Sequence, residues 1–138
     1  MILRSHTQLT DQEFEERFAN CSFPPRLFSH EAHLRLAWIH LRAYGLEQAL
    51  DNLRTQIRQF AVHVGVANKY HETITSAAVY AVDHFLQQQE TDSFQEFIAL
   101  HQPLLTDFKA LINSHYSKDI FKDPNARKVF IEPDVEPF

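Results

Sequence analysis

SHEAHLRLAWIHLRAYGLEQALDNLRTQIRQFAVHVG, Ser29 to Gly65, decides the fold. Ser29 can accept a hydrogen bond from the first turn of a helix, the residues up to Tyr44 contain neither proline nor glycine, and Gly45 suits the point where helices commonly stop. Leu46, Leu50, Leu53, Ile57, Phe60, Ala61 and Val64 then recur at helical spacing as far as Gly65. Two helices joined through so short a link lie antiparallel and bury a shared apolar seam.

The flanks extend the same pattern. Leu9-Thr10-Asp11-Gln12-Glu13-Phe14 has a cap in Thr10, a capping-box partner in Glu13 and a hydrophobic staple in Leu9 and Phe14, predicting a first helix to about Asn20. CSFPPRLF, Cys21 to Phe28, is a connector, because its proline pair cannot continue a helix. After the loop VANKY a fourth helix is expected over roughly Tyr70 to Gln89, with Ile74, Ala78, Ala81, Val82 and Phe85 as its stripe. Ser93 and Glu96 form another capping box and open a fifth helix. Pro103 either kinks that helix on its way to about His115 or opens a new one at its first position. Residues 117–138 read as a C-terminal tail whose Phe121, Phe130 and Phe138 pack back on the body. Residues 1–9 read as an N-terminal segment in which His6 is mobile. The expected architecture is all-α: one domain, residues 1–138, an up-down bundle of about five helices with its tail over one end.

Composition bounds the function. The chain of 138 residues has 44% hydrophobic residues, twelve Phe and two Gly, which suits a packed helical domain and leaves no glycine-built phosphate loop. Thirteen Lys and Arg against eighteen Asp and Glu give a net charge of −5, which disfavours a nucleic-acid partner. No segment has the apolar length of a signal peptide or a membrane span, so a cytoplasmic protein without a membrane partner is expected. Cys21, the single cysteine, is expected as a small, at least partly buried hydrophobe.

The histidines carry the chemistry. Residues on a helix advance by about 100°, which sets His30 within about 40° of Leu34, Ala37 and Leu41, with His33 about 60° to one side, on the core face. On the fourth helix His71 falls within about 40° of Thr75, Ala78 and Val82, and Glu72 lies at the edge of the stripe. Up-down topology brings the N-termini of the second and fourth helices to one end of the bundle, where His30, His33 and His71 converge. His63 and His115 approach the same end, whereas His40 is a boundary residue and His84 and His101 belong to the surface. Three imidazoles with an open fourth position fit a divalent transition metal such as Zn, Fe or Ni, with Glu72 as a further ligand or a base and Tyr116 as a hydrogen-bonding partner in catalysis. Helix N-termini disfavour a cation, however, and the same field with Arg35, Lys69 and Tyr70 suits a carboxylate or phosphate held by helix-end amides. Glu132 and Asp134 of the tail are then available to close the site or to pair with Arg35.

FSHEAHLRLAW, YHETIT and ARKVFIEPD together resemble an uncharacterised bacterial family of small helical proteins whose pattern is FxHxxHLRLAW, YHETxT and FxEPD. The resemblance covers about Phe28 to Asp134, and it implies a helical fold and a pattern that includes His30, His33, Arg35, Trp38, Tyr70, His71, Glu72, Thr73 and Glu132-Pro133-Asp134. A looser similarity of architecture links the chain to DinB-like bundles, which hold a metal with three histidines; HxxH followed by a single HE departs from their spacing. Two readings remain open: a small metal-binding protein, as an enzyme acting on a small molecule through His30, His33 and His71, and a non-catalytic small-anion-binding or interaction module in which the cluster is structural. Ile39 and Val62, apolar on otherwise polar faces, point to a helix-mediated homodimer.

Overall fold

The computed structural model describes residues 2–138, which contain helices and no strand. Helix α1 spans Asp11–Ala19, α2 His30–Tyr44, α3 Leu46–His63 and α4 Glu72–Leu86; the shorter α5 (Phe94–Leu100), α6 (Pro103–Thr106), α7 (Phe108–Asn113) and α8 (Pro124–Lys128) follow. The local signals set these ends. Thr10 accepts from the Glu13 amide while the Glu13 carboxylate accepts from the Thr10 amide; Ser29 and Ser93 cap α2 and α5 by accepting from the Ala32 and Glu96 amides, and the Glu96 carboxylate accepts from the Asp92 amide instead of completing the box with Ser93. Gly45 sits at φ 83°, ψ 172°, a conformation open essentially to glycine, and turns the chain from α2 directly into α3. Pro103 is resolved as a start: it opens α6, and a bend at Asp107 separates α6 from α7.

Helices α2, α3 and α4 pack against one another pairwise and form the centre of the domain. Their seam contains Leu34, Leu36, Ala37, Leu53, Ala77 and Val82, each fully buried. Aromatic residues extend this core toward α1, where Phe14 meets Phe23 at 4.8 Å and Phe18 meets Phe60 at 4.6 Å between ring centres. The tail folds back as expected, with α8 packed on α4. Thr73, buried near the start of α4, holds it: its hydroxyl lies 2.7 Å from the Ala126 carbonyl and 2.9 Å from that of Val129, and accepts from the Ile131 amide at 3.0 Å. Tyr116 donates to the Ile131 carbonyl at 2.7 Å, and the Asp134 carboxylate accepts from the Ser117 amide at 2.8 Å.

Several placements differ from the sequence reading, each because a distant partner outweighs the local pattern. His6 is not mobile: the chain forms a 3-10 turn over His6–Gln8, capped by Ser5, and only 3% of His6 is exposed. Arg35 leaves the tail alone and reaches this segment. Its guanidinium donates to the carbonyls of His6 (2.6 Å) and Leu9 (2.8 Å), to the Asp11 carboxylate (2.9 Å) and to His6 Nδ1 (3.2 Å). Because arginine can only donate, Nδ1 accepts, the proton sits on Nε2, and Nε2 donates to Glu31 at 2.8 Å. His40 is buried rather than at the boundary, and Ile39 is covered at 6% exposure, so of the two residues expected to form a dimer face only Val62 is exposed. Cys21 is partly covered, as expected, and takes a positive φ of 62°. Among the described residues no helix is long and apolar enough to cross a membrane.

Candidate functional site

The start of α4, the 3-10 turn Ala67–Lys69 before it and the tail border an open cleft of about 400 Å³. His33 of α2, Lys69, Tyr70 and His71 line it, as do Ile57 of α3 and Ile74 and Thr75 of α4. Phe121 and Arg127 complete the lining from the tail. Four expected residues, His33, Lys69, Tyr70 and His71, are thus brought to one place.

His71 is the N-cap of α4, one residue outside the helix, because its ring replaces the usual serine or threonine: Nδ1 accepts from the Ile74 amide at 3.1 Å. Nε2 then carries the proton and donates to the Ile120 carbonyl at 3.2 Å, fastening the tail. Burial lowers its pKa, and the positive charge of Arg127 adds to that. With both ring nitrogens engaged, neither lone pair is free for an ion. His30 is exposed at the first position of α2 rather than on the core face, and its Nε2 is used on the Leu104 carbonyl at 2.9 Å, with the ring 4.6 Å from that of Phe108. Glu72 accepts from Tyr70 at 2.5 Å and from Arg58 at 3.3 Å, with Arg54 at 3.9 Å. Its negative charge is balanced by two guanidinium groups. Among the described residues no three His, Cys, Asp or Glu side chains gather as the ligands of a metal ion would.

His33 differs from its neighbours. Nε2 is buried with no hydrogen-bond partner, and the ring is pushed down to a pKa of about 4, by burial first and by the proximity of His30 second. It is neutral at physiological pH and offers hydrogen bonding instead of charge. Lys69 and Arg127 supply the charge: Arg127 donates to the Asn68 carbonyl at 3.1 Å, and neither side chain forms an ion pair with a carboxylate among the described residues. No Asp or Glu lines the cleft.

The remaining expected residues lie elsewhere or act otherwise. Arg35 serves the N-terminal segment, Glu132 is exposed on the tail, and Asp134 is spent on Ser117. Tyr116 is buried, its phenol is pushed up to about 12 by burial and by nearby Glu132 and Asp134, and its proton is given to a tail carbonyl. His63 is exposed, and His115 Nδ1 donates to the Glu136 carbonyl at 2.6 Å. The helix-end amides expected to bind an anion are in part already answered, Ala32 by Ser29 and Ile74 by His71, so the cleft relies on side chains. Sequence reasoning missed Phe121 and Arg127. The available signal was Asp123-Pro124, a cap followed by proline at the first helical position, which predicts the short helix that carries Arg127. Comparison with protein-family models, with curated proteins and with solved structures finds no match for this chain.

Proposed function

We propose that the protein is a non-catalytic binding module that holds a small anionic molecule in the cleft between α4 and the tail. The observation that carries this reading is the pairing of Lys69 and Arg127, two cations without a carboxylate partner, at a cleft whose lining contains no acid. In a chain of net charge −5 such a site concentrates positive potential locally, and low-dielectric walls focus it.

Binding is favoured over catalysis by the state of the groups that a reaction would use. Glu72 is balanced by Arg54 and Arg58, His71 has both nitrogens on the backbone, and the phenols of Tyr70 and Tyr116 are held well above neutrality, chiefly by burial. None is poised to move a proton near pH 7. A thermal-shift titration with small carboxylates and phosphates at fixed ionic strength tests the proposal. The wild-type protein is expected to gain several degrees with at least one of them, and a Lys69→Ala/Arg127→Ala double variant to lose that gain while keeping its own unliganded melting temperature within a few degrees. An equal shift in both proteins would overturn the reading.

A further inference from the structure

The make-up of the cleft narrows the chemistry of its ligand, an inference that rests on the anion-binding reading above. Charge accounts for only part of the lining. Ile57, Ile74 and Phe121 come from three separate segments, α3, α4 and the tail, and meet at the same cleft as Lys69 and Arg127. A volume of about 400 Å³ lies within the range of pockets for organic molecules, which are characteristically apolar with a few placed polar groups. A bare inorganic anion would engage the two cations and leave the aliphatic and aromatic walls facing water.

We infer that the ligand is an amphipathic organic anion: a carboxylate or phosphate head held by Lys69 and Arg127, on a ring-sized apolar body set among Ile57, Ile74 and Phe121. The division of labour follows from the side chains. Lysine and arginine bind both head groups, arginine with two parallel donors where its geometry allows, so charge alone does not choose between a carboxylate and a phosphate. The apolar body supplies the discrimination against simple anions, since each buried methylene is worth about 0.8 kcal/mol. Phe121 offers a π face to a ring, an arrangement worth about 0.5 to 1.5 kcal/mol beyond its burial.

Titration calorimetry on the full chain with acetate, inorganic phosphate, benzoate, phenyl phosphate and benzyl alcohol separates the contributions. Benzoate or phenyl phosphate is expected to bind at least tenfold more tightly than acetate or inorganic phosphate, and benzyl alcohol at least tenfold more weakly than benzoate. Which of the two aromatic anions binds better identifies the head group. Ile74→Thr, with its fold checked by circular dichroism, should reduce the preference of benzoate over acetate severalfold. If acetate or phosphate binds as tightly as its aromatic counterpart, the amphipathic assignment fails while the anion-binding reading stands. If benzyl alcohol equals benzoate, or none of the five binds, both fall.

Discussion

Two polar clusters draw on opposite faces of the first turns of α2, Glu31 and Arg35 on one and His33 on the other, and they differ in one respect. In the N-terminal clasp of His6, Asp11, Glu31 and Arg35, both imidazole nitrogens and all three guanidinium nitrogens have partners. At the cleft, His33 Nε2 has none, and Lys69 and Arg127 lack a carboxylate. A polar group that the fold has fully answered is structural, because its bonds offset its own desolvation and tie two segments together. One left unanswered costs stability. The clasp therefore accounts for stability, and the cleft is the region proposed for recognition.

Arg35→Met is the sharpest way to break the clasp. It leaves the buried carbonyls of His6 and Leu9 without this donor, while the half-exposed Asp11 carboxylate is resolvated, and it should cost about 2 to 4 kcal/mol in urea denaturation, from two buried acceptors each left without a partner. A loss below about 1 kcal/mol would show that the clasp does not hold the fold.

Acid provides a milder test of the same cluster. Burial lowers the pKa of His6 beneath its ordinary 6.5, against the opposing pull of Glu31. The folded state therefore prefers the neutral ring, so its contribution is fully present above pH 6.5 and declines as pH falls toward the depressed folded value. Protonation at Nδ1 also removes the acceptor for Arg35 and sets two cations side by side. Melting temperature should fall between pH 7 and pH 5, with amide exchange rising at Leu9, and His6→Gln should flatten that slope. An unchanged slope in the variant would assign the acid sensitivity to other groups.

The smallest effect is expected at the cleft. His33→Leu removes an unpartnered buried nitrogen while keeping apolar volume, and its unfolding free energy should lie within about 0.5 kcal/mol of wild type or above it. The same urea experiment measures it. A loss comparable to that of Arg35→Met would erase the distinction between the two regions.

Much of the fold was legible because its signals are local. Thr10 with Glu13, Ser29 before α2, Ser93 with Glu96 and Gly45 between α2 and α3 act within one turn of chain, and the structure uses each of them. Helical periodicity likewise placed Leu50, Leu53, Ile57 and Phe60 on the buried face of α3. The same reasoning expected His30, His33 and His71 to converge at one end of the bundle; His33 and His71 do line one cleft, while His30 turns to the Leu104 carbonyl, and the reasoning failed where the deciding partner lies far along the chain. His6 looked exposed because nothing within reach covers it; Arg35, 29 residues later, does. His71 looked like an interior helix residue and serves as a cap, because its ring can take the Ile74 amide and the Ile120 carbonyl together.

By itself the sequence determined the helical class, the hairpin of α2 and α3 and most helix ends, since backbone hydrogen bonding and side-chain periodicity are written in neighbouring residues. The tertiary structure decided which polar groups are answered and which are not. Whether an imidazole is a clasp, a cap or an open position depends on the atoms that surround it, and in this chain those atoms come from 25 residues away for His6 and Glu31 and from 49 for His71 and Ile120.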